Sequence, residues 1–452
     1  MNRPGAAAAA ACAIAGFGAT LPLPVAAAEA VALVGARVYP VSSDPIPDGV
    51  VLIRDGRILA VGARDRVQIP EGARLRDLGG RVIIPGLVDT HSHIALSGRP
   101  LVRANRGTNE SSHPVTPEMR AIDGIWPGDP AIRMAVTGGV TTVNIMPGSG
   151  NVVSGQTAYV KLRGSSVNEM LIKGAGGHPV PGGMKMANGE NPKRTHGSRN
   201  KAPMTRMAAA KLERQLFIDA LEYQAKQVRY QDQVARGENP SPPELDLGLA
   251  PVVEVLDGLR IVHHHTHRAD DIRTVLRIQD EFGHRVVIQH GTEAHKLADE
   301  LARRGVPVSA IVLDAPGGKH EAIELDYRGP AILERAGVKV ALHTDDYITD
   351  SRLFLRSGGL AIRGGMSEAG ALRALTLSGA EMLDLADRIG SLEPGKEADL
   401  VVLSGEPFAV RTRVLETWID GEQRFDRGDP EDRLYQTGGF QLPDRYPRGV
   451  VP

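Results

Sequence analysis

Pro85-Gly-Leu-Val-Asp-Thr-His-Ser-His93 is a short apolar stretch that ends in two histidines one residue apart. In a strand, residues i and i+2 point to the same face, so His91 and His93 can both reach one metal ion. Taken alone, the pair can equally be two ordinary polar residues at a strand end. The stretches around it decide between these readings.

Downstream, strand-like runs alternate with helical ones at 138–146, 183–187, 259–265, 285–290, 306–313 and 338–344. Near-continuous apolar strands in βα alternation imply a parallel sheet covered on both sides. The expected fold class is therefore α/β, a (β/α)8 TIM-like barrel over residues 85–392. The longest helix is expected from about Thr205 to Arg236, with Met207, Leu212, Leu216, Ile218, Leu221 and Val228 roughly at helical spacing. Upstream, 32–41, 49–62 and 79–86 read as hairpin strands, and 398–403 and 414–421 repeat that character near the other end. Residues 29–84 and 393–425 are thus expected to pair into a small β-sandwich domain, with 426–452 an extended tail.

Several of the apolar runs end in metal-binding residue types. His263, His265 and His267 share one face of Leu259-Arg-Ile-Val-His-His-His-Thr-His267, while His264 faces away and is expected to pack. Val286-Val-Ile-Gln-His290 ends in histidine, and Val338-Lys-Val-Ala-Leu-His-Thr-Asp345 ends in an acid followed by Asp346. In β/α barrels functional groups collect at the C-terminal ends of strands. One site therefore accounts for His91, His93, His265, His290 and Asp345 together. His343 and Asp346 are open to two roles, structural hydrogen bonding or substrate contact. His178, His196, His284, His295 and His320 fall in expected loops or helices and are expected to be solvated.

Composition narrows the partner. Lys+Arg 53 balance Asp+Glu 54, which leaves no electrostatic footprint for nucleic acid or an anionic membrane and favours a small-molecule substrate. The first 28 residues read as an export signal: Arg3, the small apolar stretch 6–23, then Ala26-Ala27-Ala28 as a cleavage site. The expected location is periplasmic or secreted. Cys12, the only cysteine, lies inside that segment, so neither a disulfide nor a thiolate ligand is available to the mature chain. Beyond the leader no apolar run reaches spanning length, so no membrane span is expected. A homo-oligomer is compatible with this composition.

The run 85–93 together with 138–151, 183–194, 265–272, 289–295, His343-Thr-Asp-Asp346 and 390–403 resembles the amidohydrolase superfamily, in its imidazolonepropionase-like and prolidase-like branch. The resemblance implies that His91, His93 and Asp345 hold the more buried of one or two divalent ions. It implies that His265 and His290 hold the second, and that an acid bridges the two. Lys185, in carboxylated form, is the expected bridge and Glu190 the alternative. Imidazole and carboxylate donors suit zinc and tolerate manganese or iron. A bound divalent ion lowers the pKa of water towards neutrality. The hydroxide so formed would attack a carbonyl or amidine carbon, with Asp345 as base and then acid to the departing nitrogen, and His290 beside it among the catalytic groups.

His267, Arg268 and His343 are expected to contact substrate, Arg268 through a forked pair to a carboxylate. Residues 174–183 and 189–194 are expected to form a wall or lid; a phosphate loop is the other reading of those glycines, but its Gly-Lys-Ser/Thr ending is missing. The expected reaction is hydrolysis of a C–N bond in an amide, cyclic amide or dipeptide. The alternatives are deamination of an aminated heterocycle and, in another class, a catalytically silent metal-binding relative.

Overall fold

A computed structural model describes residues 29–312 and 319–439. The leader with Cys12, and 440–452 of the tail, lie outside the described residues. In chain order the strands are β1 (Val31–Val38), β2 (Ile46–Arg54), β3 (Arg57–Ala63), β4 (Arg74–Asp77), β5 (Val82–Pro85), β6 (Leu87–Ser92), β7 (Val140–Ile145), β8 (Val153–Gln156) and β9 (Ala158–Lys161). They continue with β10 (Met184–Ala187), β11 (Val262–Thr266), β12 (Val286–His290), β13 (Val308–Ala310), β14 (Val340–Leu342), β15 (Leu400–Leu403), β16 (Val414–Ile419) and β17 (Glu422–Asp426).

The two chain ends meet in one eight-stranded sheet, ordered β17-β16-β15-β5-β1-β2-β3 with β4 on β1. The junction is the antiparallel pair β5–β15, with Ile83 opposite Val402 and Pro85 opposite Leu400. A two-sheet sandwich was expected, whereas the hydrogen bonding joins these strands as a single sheet. Its alternating side chains feed different clusters: Leu33, Val51, Ile83 and Trp418 pack on one side, Ala32, Val34, Val50 and Leu52 on the other.

The middle of the chain is mixed α/β. Strands β10 to β14 run parallel as neighbours, and β6 pairs parallel with β7. Burial on both faces accounts for the apolar runs of β12 and β14, whereas β11, Val-His-His-His-Thr, is equally buried but carries the polar residues of the site. Two antiparallel strands interrupt the βα alternation, β8 on β10 and β9 on β7. The far edges are joined by Asp89 of β6, which accepts from the Thr344 backbone N–H at 3.1 Å and its hydroxyl at 2.5 Å. The Asp345 N–H also donates to the His91 carbonyl at 2.9 Å. That seam brings the strand ends carrying His91 and Asp345 side by side.

The long helix spans Arg206–Ala235, with the Thr205 hydroxyl capping the Ala208 N–H. Its buried face is Ala209, Glu213, Leu216, Phe217, Ala220 and Tyr223; of the residues expected from spacing, Leu216 is buried and Leu212 packs against the core, while Met207, Ile218, Leu221 and Val228 are exposed. The stretch read as an extended tail contains a helix, Pro430–Thr437, capped by Asp429. Pro430 at its first position and an acid before it are ordinary starting signals.

Candidate metal centre

His91 sits in β6 and His93 just beyond it, both buried. Each ring has one nitrogen engaged from behind: His91 Nδ1 meets Gln289 Oε1 at 3.1 Å, and His93 Nδ1 meets the Met146 carbonyl at 2.8 Å. Both partners are acceptors, so Nδ1 carries the proton and each Nε2 keeps its lone pair for the interior. The two Nε2 atoms lie 3.6 and 3.1 Å from Asp345 Oδ1. These separations match the edges of a tetrahedron around a zinc-sized ion with bonds of about 2.1 Å.

The other strand ends close around this trio. Lys185 of β10 is fully buried, with Nζ 3.0 Å from His91 Nε2 and 3.2 Å from Met146 Sδ. His290 ends β12, and its Nδ1 is 3.1 Å from His343 Nε2, whose Nδ1 meets the Ser309 hydroxyl at 2.7 Å. His265 of β11 has Nδ1 3.0 Å from the Ser149 hydroxyl. His267 has Nδ1 2.8 Å from the Thr292 hydroxyl. His265 and His290 are neighbours, with ring centroids 4.4 Å apart. Yet among the described residues no three-donor cluster of metal-ligating size contains both.

Burial governs the charge of the set. It holds His91, His265 and His290 well below the usual histidine range, and His267 and His343 down to about 3. These rings are neutral near pH 7, the form that ligates. Burial also brings the Lys185 ammonium down to about 7, which frees an amine lone pair at neutral pH. For Asp345, burial acts upward, but hydrogen bonding from His93 and nearby positive charge outweigh it and keep the acid below its ordinary value. Backbone conformation adds to the definition: His290 and Asp345 have φ of 69° and 49°, a left-handed geometry unusual outside glycine.

Not every residue reaches the centre. The Arg268 guanidinium forms a forked pair with Asp270 at 2.9 and 3.0 Å at the surface, in place of the expected substrate carboxylate. Glu190 opens the helix Glu190–Gly197 and turns its carboxylate towards Arg194, 3.9 Å away, so it stands outside the imidazole cluster. Its backbone N–H instead donates to Glu321 Oε2 at 2.7 Å. His196 and His284, expected to be solvated, are buried: His196 Nε2 meets Asn151 Oδ1 at 2.8 Å, and the His284 ring stacks on Phe217. His264 is buried against Glu213 at 3.3 Å, a packing role as expected. Asp346 accepts from Arg99 at 2.6 Å and from the Ser351 hydroxyl at 2.7 Å, the structural alternative of the two open for it.

Sequence reasoning missed Glu321, Asp89 and Gln289. Glu321 lies 3.8 Å from His265 Nε2 and 4.0 Å from His267 Nε2. Gly189, at φ 76°, lets the chain pass it, since a β-carbon there would stand 2.4 Å from Glu321 Oε2. Gln289 and Asp89 lay within the quoted strands, but only the three-dimensional pairing gives them partners.

A solved amidohydrolase from Thermotoga maritima is 39% identical and superposes with a TM-score of 0.82, covering 88% of this chain and all of that one. The chain belongs to the amidohydrolase family. The amidohydrolase family model matches residues 257–424. The Hapsidospora irregularis amidohydrolase tasK is 31% identical over 84% of this chain, which spans only 40% of that longer protein. An imidazolonepropionase from Sphingopyxis alaskensis is 24% identical over 89% of this chain and 93% of its own length. A 5-methylthioadenosine/S-adenosylhomocysteine deaminase from Symbiobacterium thermophilum is 26% identical over 84% and 86%.

Proposed function

We propose that this amidohydrolase is a metal-dependent enzyme that hydrolyses a C–N bond in a small amide, cyclic amide or dipeptide. The observation that carries the reading is the convergence of His91 Nε2 and His93 Nε2 on Asp345 Oδ1, with both Nδ1 atoms already committed to acceptors. A buried set of imidazoles facing a carboxylate is the donor chemistry of a borderline divalent cation, zinc before manganese or iron. We place the trio at the mouth of a β/α barrel, which the parallel order β10 to β14 and the β6–β14 seam support.

His91, His93 and Asp345 would hold the ion, and Lys185, once carboxylated on its neutral amine, would add an oxygen donor. A divalent ion supplies acidified water and polarises the scissile group. Asp345 takes the water's proton at its carboxylate and delivers it to the departing nitrogen. His343 holds the His290 ring in place through its Nε2, while Ser309 holds His343. Burial of the surrounding imidazoles limits the bulk water that reaches Asp345, whose side chain is 18% exposed. The order of the first 28 residues supports work outside the cytoplasm, checked by finding the cleaved protein in a periplasmic or secreted fraction.

Elemental analysis of purified protein should give one to two divalent ions per chain. Asp345→Asn should retain metal and lose turnover by roughly 10²–10⁴-fold, the usual contribution of a positioned acid–base group; full activity in that variant refutes its role. Substrate class is read from a turnover screen of metal-loaded enzyme on N-acyl amino acids, Xaa-Pro dipeptides, hydantoin-like rings and aminated heterocycles. Ammonia release confined to the last group establishes a deaminase instead.

A further inference from the structure

We propose that the cavity between the helix Phe354–Arg363, the β15–β16 connection and the end of the helix Pro430–Thr437 binds a small organic anion, with more than one negative charge on an apolar body, as in a phosphate monoester. It measures about 820 Å³, within the range of small-molecule sites, and none of its lining residues belongs to the metal centre. Charge sets it apart. Over the whole chain 53 basic residues balance 54 acidic ones, yet Arg352, Arg356, Arg363, Arg413 and Arg427 all line this cavity, against Asp350 as the single acid among the described lining residues. Asp350 is already committed, because Arg352 holds it in a fork, Nε to Oδ1 at 3.0 Å and Nη2 to Oδ2 at 2.6 Å.

Neighbouring acids are engaged elsewhere. Glu406, next to the lining residue Pro407, accepts from Arg37 at 3.1 Å and from the Tyr39 hydroxyl, and Asp432 pairs with Arg133 at 2.9 Å. Arg363, Arg413 and Arg427 thus have no ion pair among the described residues. Arg427 is half-buried, and the charges acting on it, Arg413 and Arg433, are both positive; burial and these two neighbours hold its pKa below the usual arginine value. Guanidinium groups gathered without a counter-charge repel one another, and an anion entering between them removes that cost. Their planar forks match phosphate or carboxylate oxygens in pairs. Between the arginines the wall is apolar: Leu355, Leu360 and Phe408 pack on the core yet stay partly exposed to the cavity. An inorganic ion leaves that surface wet, whereas an organic anion covers it. Residues 440–452 carry Asp444 against Arg445 and Arg448, so the sequence beyond Gly439 holds no excess of acidic side chains to neutralise the cluster.

The test is calorimetric titration of metal-loaded full-length protein with phenyl phosphate, and separately with its two halves, inorganic phosphate and phenol. Phenyl phosphate should saturate a site at one per chain and bind more tightly than either half. Arg427→Gln should weaken it roughly 10-fold or more, as expected for loss of a charge-assisted hydrogen bond. Gly359→Leu is the second variant: a β-carbon at Gly359, which lines the cavity, meets no atom within 4 Å, so leucine fills the open space without removing a charge and should also weaken binding. Arg304→Gln, at an exposed arginine paired with Asp280, should leave binding unchanged. Absence of saturable binding overturns the inference. So does binding that survives both Arg427→Gln and Gly359→Leu but is lost in His91→Ala, which assigns the anion to the metal centre. Phosphate binding as tightly as phenyl phosphate removes the apolar half of the claim, and binding that appears only after deletion of residues 440–452 makes the chain's own end the occupant; either result overturns it. Circular dichroism melts establish that each variant is folded.

Discussion

Gln289 is the residue on which two imidazoles depend. Its carbonyl oxygen accepts from His91 and its amide meets His263 Nδ1 at 3.0 Å, while His263 Nε2 is 3.0 Å from the Tyr159 hydroxyl. Gln289→Leu keeps the volume but removes the acceptor that orients His91. Metal affinity should fall about 10–100-fold, read by competition with a chromogenic chelator. His91→Ala should go further and release the ion of that trio together with activity. The strand-end histidines and Asp345 were legible because a polar residue closing an apolar run has a positional meaning. Glu321 was not, because a single acid in an aperiodic loop looks like any solvated acid until the fold buries it. Arg268 misled in the opposite direction: an arginine beside the cluster suggested a substrate clamp, but Asp270 two residues on satisfies it locally.

Among the elements, the helix Arg206–Ala235 shows what periodicity resolves and what it does not. Its limits follow from the Thr205 cap and the Pro-rich exit. Its inward face does not, since small Ala209 and Ala220 allow close approach while Phe217 fills the space against Phe282 and His284. Spacing alone picks out Leu212 and Leu216, which pack inward, but also Met207, Ile218, Leu221 and Val228, which remain in solvent. Glu213 is the polar member of the inward face, and its carboxylate meets His264 on the outer side of β11. Glu213→Ala should strand that imidazole and cost roughly 1–3 kcal/mol in chemical denaturation. Metal content should stay at the wild-type value, because His264 points away from the cluster. The parallel strands themselves were readable from unbroken apolar runs; β8 and β9 were not, as they are short and hidden between stronger signals.

Across the whole molecule, Lys161 links the two parts of the structure. Buried at the end of β9, it pairs with Glu397 at 2.6 Å, Asp399 at 3.0 Å and Asp420, groups that flank β15 and β16. Burial opposes its charge, but the three carboxylates outweigh that and raise its pKa above the usual lysine value. Lys161→Met should leave mutually repelling buried acids and destabilise the protein by about 3–5 kcal/mol, lowering the melting temperature with the metal trio chemically intact. Pairing of the two chain ends was visible as matching hairpin-like text, but its hydrogen-bonded form as one sheet was not, because register and sheet membership are properties of the assembled fold. The β5–β15 pair has a consequence for biogenesis. Val82–Pro85 leads directly into the strand bearing His91, yet its partner emerges from the ribosome more than three hundred residues later. The nascent polypeptide therefore cannot complete this layer during translation, and maturation is expected to be slow and posttranslational, dominated by a long-range closure.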